Sequence, residues 1–226
     1  MMMINNNYYY PTLTRQDISF YYKTEGEFYA TYNCDKNYIN ISKDCQYRCV
    51  YCDALIDECG GERFSLDHFR PTDIFADKFG GILKVHPYNL HLSCQKCNVL
   101  KTNDWKGCLD TMDGATYISG LGYIDRFKDD VAKYLKVNEN GMVISVNSNG
   151  PGDYMVRKLL LNRTNRVYIR KRRVVKDKAS RILNLLINKQ AALLSSDKIG
   201  TDEYKVEIKK LHALFERFKR LNLLKL

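Results

Sequence analysis
Over residues 17–44 aromatic and polar positions alternate (Phe20, Tyr22; Phe28, Tyr32), a period of two that predicts short strands. Gly60-Gly61 through Ser65 reads as a turn leading into a strand. On that strand Phe64, Leu66 and His68 share one face, and Ser65 and Asp67 the other. For Asp67 and His68 to serve one site the strand must end or bend there. Pro71 and the Gly80-Gly81 loop predict that ending. Leu90-His91-Leu92 reads as a second short strand, and Gln95 to about Trp105 as a helix ended by Gly107. Residues 134–137 and 142–146, joined by Asn138-Glu139-Asn140-Gly141, read as a hairpin. From Pro151 onward the period becomes helical. Ile182, Leu185, Leu186 and Ile187 form an apolar stripe, with Leu193 and Leu194 beyond it. Gly200 breaks the stripe, and Thr201 caps a last helix with Asp202 and Glu203 in its first turn. There Ile208, Leu211, Phe215 and Phe218 recur at heptad spacing. The pattern predicts a helical hairpin packed on itself or on the rest of the chain, with a partner-binding coiled coil as the alternative. Residues 1–16 are polar and Tyr-rich, and poor order is expected for the first ten. The expected class is α+β, organised as an N-terminal extension (1–44), a core (45–107), a connecting segment with a hairpin (108–150) and a helical region (151–226).

Charge sharpens this division. Residues 1–150 carry 16 Lys+Arg against 19 Asp+Glu, whereas residues 151–226 carry 20 against 7. All of the excess in the net charge of +10 therefore sits in the helical third. Such a region attracts polyanions, nucleic acid first; a solvated helix face with extra lysines is the plainer reading. No run of eighteen apolar residues is present, so no membrane span is predicted. The first residues lack the basic and apolar segments of a secretory signal. A reducing cytoplasm is therefore expected, where cysteines serve metals or cores rather than disulfides.

Four of the eight cysteines fall into two Cys-x-x-Cys pairs, Cys49/Cys52 and Cys94/Cys97. This is the spacing of a structural zinc, because Zn²⁺ takes four tetrahedral ligands and each pair supplies two. Such a metal contributes folding energy that a small unit cannot draw from its own core. The 41 residues between the pairs exceed the spacing of a simple zinc ribbon, so an insertion carrying function is expected there. That insertion holds Asp67-His68-Phe69-Arg70-Pro71 and Asn89-Leu90, and the second pair runs into Asn98 and Lys101. Phosphodiester hydrolysis needs a water deprotonated near neutral pH and a cation at the leaving oxygen. His68 can be the base. Asp67 and Asn98 offer the oxygen ligands that Mg²⁺ or Mn²⁺ prefers. Asn89 can hold His68 in place through its backbone or ring. His86 and His91 read as structural, His212 as an ordinary position of the last helix, and Cys34, Cys59 and Cys108 as core thiols.

These residues, Cys49-x-x-Cys52, Asp67-His68-x-x-Pro71, Asn89-Leu90 and Cys94-x-x-Cys97-Asn98-x-x-Lys101, resemble the HNH (ββα-metal) endonuclease family over about a quarter of the chain. The resemblance implies a zinc-stapled ββα core that cleaves nucleic-acid backbones, DNA ahead of RNA. It implies His68 as general base, Asp67 and Asn98 on the catalytic cation, and Asn89 positioning His68. The third family position, often histidine, is Asn98 here. Arg163, Arg166, Arg170 and Arg173, with Lys101, are the expected phosphate contacts. The wording His-Phe-Arg-Pro and the downstream Leu159-Leu160-Leu161-Asn162-Arg163 also look like the small HNH proteins of bacterial anti-phage systems. Some of those work beside an ATPase, so a partner ATPase is an expected partner, and self-association stays open. Two other readings compete. One is a zinc-stapled nucleic-acid binder without catalysis. The other is a radical S-adenosylmethionine enzyme, whose cluster loop Cys45-x-x-x-Cys49-x-x-Cys52 resembles.

Overall fold
In a computed structural model of the chain, residues 9–220 are described, and they divide into two compact units between Ile169 and Arg170. The molecule is α+β, with small antiparallel strand pairs and a helical C-terminal region. In chain order the first unit holds a hairpin of β1 (Tyr22–Thr24) and β2 (Glu27–Phe28) and a helix α1 (Asp35–Asp44). The pair β3 (Ser65–His68) and β4 (Leu90–Ser93) follows, with helix α2 (Gln95–Lys101) directly after it. Two further hairpins come next, β5 (Tyr117–Ile118) with β6 (Leu121–Gly122) and β7 (Leu135–Val137) with β8 (Val143–Ser145), then helix α3 (Pro151–Lys158). Helix α4 (Thr164–Leu194) begins in this unit, and α5 (Asp202–Arg220) lies in the second.

The strand–strand–helix run is the centre of the first unit. Strand β4 is buried at every position, and β3 pairs with it in register Leu66↔Leu92, Asp67↔His91 and His68↔Leu90. Phe64, Phe69 and Phe75 are buried beside it, with the single tryptophan, Trp105, edge-on to both Phe69 and Phe75. Burial of side chains this large is the main favourable term holding the unit together.

Three expectations need correction. The alternation over residues 17–44 produces only the β1–β2 hairpin, and from Asp35 the chain is helical. Helix α1 buries Asn37, Ile41, Ser42 and Asp44, mostly polar, so its helical period is invisible to a hydrophobicity reading. Its Asp44 carboxylate is satisfied by the Tyr21 hydroxyl and by Gln16 Nε2 at 3.1 Å. Helix α2 ends at Lys101, a turn before Trp105: Thr102 takes φ +49°, and the chain turns so that Trp105 enters the core. Gly107 has a different use, since a Cβ there would lie 2.4 Å from the Ala115 carbonyl oxygen. Lastly, the N-terminal stretch is not loosely attached. Tyr9, Tyr10 and Leu13 are buried, while the remainder of the expected disorder falls on residues 1–8, outside the described residues.

The hairpin predicted over 134–137 and 142–146 is present as Leu135–Val137 and Val143–Ser145, and Asn162 ties it down from a distance through both Val143 N (2.7 Å) and Val143 O (2.8 Å). Pro151 opens α3 at its first turn, where its missing N–H is not needed. The β5–β6 hairpin was not legible in the sequence. Its turn residues Ser119 and Gly120 both have positive φ (51° and 78°), the tight form that matches strand twist.

In the second unit Thr201 Oγ1 caps α5 by accepting Tyr204 N–H at 3.2 Å, as expected. Lys189 pairs with Glu207 at 3.1 Å across the two helices. Leu211 and Phe218 are buried, but Ile182, Leu185, Ile187 and Leu194 of the predicted stripe are exposed. No helix among the described residues is long and apolar enough to cross a membrane.

Candidate active site and metal centre
The two cysteine pairs converge. Cys49, Cys52, Cys94 and Cys97 are all buried, and their sulfurs lie within 4.8 Å of one another. Cys52 and Cys94 sulfurs are 3.7 Å apart. That is far beyond a disulfide bond of about 2.05 Å. It matches the edge of about 3.8 Å that four sulfurs have at a Zn–S distance of about 2.3 Å. The group can therefore hold a metal such as zinc.

Local structure makes each pair. The first is a turn in which Asp53 N bonds Cys49 O and Cys49 N bonds Ala54 O, both at 2.9 Å. Asp53 sits in the left-handed region at φ +62°. Its fully buried carboxylate is gripped by Arg48 (3.3 Å) and Arg126 (3.2 Å). Val50 N docks the turn onto β4 by donating to Leu92 O at 2.9 Å. In the second pair Cys94 precedes α2 and Cys97 lies in its first turn, so the three-residue spacing puts both sulfurs on one side.

Two arginines close the cluster. Arg163 Nη2 lies 3.5 Å from Cys94 Sγ and 3.4 Å from Cys97 Sγ, and Arg166 donates to Cys94. The neighbouring thiols, Cys49 first, and then Arg166 hold Cys94 well below the usual thiol range. Burial works against the charge of Arg166, but the thiolates of Cys52 and Cys94 outweigh it and raise its pKa above the ordinary arginine value. A tetrathiolate with Zn²⁺ carries two negative charges, and these guanidiniums are placed to offset them.

Asp67, His68 and Asn98 line a single cavity of about 380 Å³, beside Tyr32, Thr72 and Asn103. Strand β3 ends at His68, as the sequence requires of neighbours that share a site. His68 Nε2 contacts the Lys84 carbonyl oxygen at 2.9 Å, and Tyr32 stands edge-on to the ring with centroids 4.4 Å apart. Burial holds His68 below the ordinary imidazole value, against the Lys84 carbonyl and Asp67, which favour the charged form. Asn89 does not touch the imidazole. It clamps the backbone just beyond it: Oδ1 accepts Arg70 N–H at 2.8 Å, and Nδ2 donates to Arg70 O (3.0 Å) and Leu83 O (2.9 Å). The sequence left the backbone or the ring of His68 as the options for the Asn89 side chain; it takes neither and bonds the backbone of Arg70 and Leu83 instead.

Asp67 accepts from the Tyr51 hydroxyl at 2.5 Å and pairs with Lys101 Nζ at 3.2 Å. Burial and then Asp67 push the Tyr51 pKa well up, so it remains a donor. Lys101 is fully buried, and its Nζ also donates to His68 O at 2.8 Å. The expectation that Lys101 contacts phosphate is therefore corrected: its ammonium stabilises the Asp67–His68 backbone from inside. The same correction applies to the arginines. Arg166, Arg170 and Arg173 are 7%, 1% and 6% exposed, and Arg163 faces the sulfurs, so none is presented as a surface phosphate contact. The physical reason is that the cysteine cluster concentrates negative charge, which draws Arg163 and Arg166 inward.

Cys45 lies outside the four-sulfur group, and its sulfur accepts Leu92 N–H at 3.4 Å. His86 Nδ1 caps a turn at Tyr88 N (3.2 Å), and His91 stacks on Phe69, both structural as read. Sequence reasoning missed Lys84, whose contribution is a backbone carbonyl and leaves no sequence signal. It also missed Tyr51, which the first cysteine pair brackets, and the buried Asp53–Arg126 pair. No family model, curated protein or solved structure matches the chain.

Proposed function
We propose that this chain is an HNH-type endonuclease that hydrolyses phosphodiester bonds in nucleic acid, DNA first. One observation carries the reading: Asp67, His68 and Asn98 share one cavity while a carbonyl holds the imidazole. A carbonyl can only accept, so Nε2 carries the proton and Nδ1 keeps its lone pair. Burial favours the neutral ring, which suits a base that takes a proton from water near neutral pH. Asn89 fixes the loop after His68, and Lys101 fixes the His68 carbonyl, so the backbone that carries the ring is held on both sides.

Asp67 and Asn98 supply a carboxylate and an amide oxygen to the same cavity, a hard donor set that fits Mg²⁺ or Mn²⁺. Such a cation, when bound, would stabilise charge on the leaving oxygen. Lys101 already offsets part of the Asp67 charge, and waters and substrate phosphate oxygens would complete the ligand set of a bound cation.

The test is Mg²⁺-dependent nicking of plasmid DNA by the wild type and by His68→Ala, with zinc content measured in both. Cleavage by the wild type alone, at equal zinc, is expected. Binding without cleavage in both proteins would instead establish a non-catalytic nucleic-acid binder.

A further inference from the structure
The cavity at His68 is the middle of a longer trough. A second cavity of about 440 Å³ adjoins it and shares Tyr32, Leu66 and Asn98 with it. A third, of about 400 Å³, shares Tyr32, His68 and Thr72. Tyr32 lines all three, so the stretch after the β1–β2 hairpin forms a common wall. Each end of the trough carries an exposed cation, Arg63 in the second cavity and Lys84 in the third.

At the Arg63 end the guanidinium lies over the Tyr38 ring, 4.1 Å from its centroid. Its side chain is 60% exposed, so a ligand can reach it from solvent. Its ion pair with Asp35 at 3.2 Å, the one it makes among the described residues, is a surface contact that a ligand can displace at small cost. An accessible guanidinium backed by an aromatic ring is a stacking platform for a nucleobase.

We infer that this trough binds an unpaired strand of nucleic acid, with one base stacked on the Arg63–Tyr38 pair, Lys84 on a backbone phosphate beyond the site, and the scissile phosphate at His68 between them. The inference rests on the endonuclease reading and extends it to substrate class. Three features favour an unpaired strand. Stacking on the platform requires a base released from a duplex. Asp67 is only 6% exposed, so a phosphate must enter a recess to reach it. The trough has its cations at the two ends, Arg63 beside Asp35 and Lys84, with Tyr32 and the recessed Asp67 between them, which is the arrangement of a single-strand track rather than of a duplex-binding face.

Fluorescence anisotropy tests this in a His68→Ala background, where bound strands are not cut. The probes are one labelled mixed-sequence oligodeoxynucleotide, its RNA counterpart and the same DNA as a duplex. Both single strands are expected to bind more tightly than the duplex, and the DNA–RNA difference decides which sugar the trough prefers. Arg63→Ala and Tyr38→Ala each weaken single-strand binding roughly five- to a hundredfold, while Tyr38→Phe retains it. Arg63 is exposed, so its variant tests the platform without threatening the fold. Equal affinity in Arg63→Ala, or a duplex bound as tightly as the single strand, overturns the inference. If the wild type still nicks plasmid in that event, the endonuclease reading stands and only the track is lost. If no cleavage and no strand binding occur, both fall.

Discussion
The region from Cys49 to Trp105 and the helices of residues 170–220 are stabilised in opposite ways. The first buries charge. Lys101, Asp67 and Asp53, with Arg126 reaching in from the segment that follows, are all at or below 6% exposed and lie in ion pairs within the same unit as four buried sulfurs. The second buries Arg170 and Arg173 at its start but keeps its later charges in solvent: Lys189, Lys198, Lys205, Lys210 and Lys219 all pair with acids while more than half exposed. It also leaves Ile182, Leu185 and Leu194 uncovered. A buried pair gives little net stability yet is very costly to break, whereas an exposed pair is cheap either way. The central region is therefore specific and brittle, and the helical one tolerant.

The largest contrast should come from removing the metal. In Cys97→Ser, or after exhaustive chelation, Trp105 emission should shift to the red as the central region loses its clasp, while much of the helical circular dichroism signal persists. Unchanged emission at zero zinc would show that the cluster does not hold the core. Next comes a matched pair of substitutions. Lys101→Met leaves the Asp67 carboxylate buried without its cation and should cost about 3–5 kcal/mol, measured by denaturant unfolding. Lys189→Met removes an exposed pair and should leave the midpoint where it was. Similar losses in the two variants would erase the comparison.

Arg166→Gln should weaken zinc retention roughly tenfold or more, read as faster transfer to a chromogenic chelator, because the outer hydrogen bonds to a ligand tune metal affinity. Wild-type transfer rates in Arg166→Gln would reduce that arginine to packing.

The smallest effect is on acid stability. Fully buried His91 has its pKa held well below the ordinary imidazole value, by burial first and then by Arg15. Its folded pKa is lower than its unfolded one, so the unfolded chain binds the extra proton. Its contribution is complete above about pH 6.5 and is lost as pH falls, by up to about 1.4 kcal/mol per pH unit. His91→Phe should flatten that slope between neutral and mildly acidic pH, and an unaltered slope would assign the acid sensitivity elsewhere.

Legibility follows the same division. The Cys-x-x-Cys pairs, both central strands, the start of α2, the Asn138–Gly141 hairpin and the Thr201 cap were readable because each rests on local geometry. Helix α1 was not, because its buried face is largely polar and becomes favourable only when Tyr21 and Gln16 reach Asp44. The candidate residues themselves were legible as types at fixed spacings, but not their hydrogen bonds: nothing in the sequence links Asn89 to Leu83 O or His68 to Lys84 O.

By itself the sequence determined which side chains could form a thiolate clasp and a base beside an oxygen ligand, since spacing along a strand or a helix turn sets which atoms face together. It also determined that positive charge gathers in the last third. Only the tertiary structure decided where that charge goes. Arg163, Arg166 and Lys101 look like surface cations in the sequence, yet distant thiolates and a carboxylate take them inside. A charged side chain is stable in the interior only beside its counter-charge, and folding alone brings the two together.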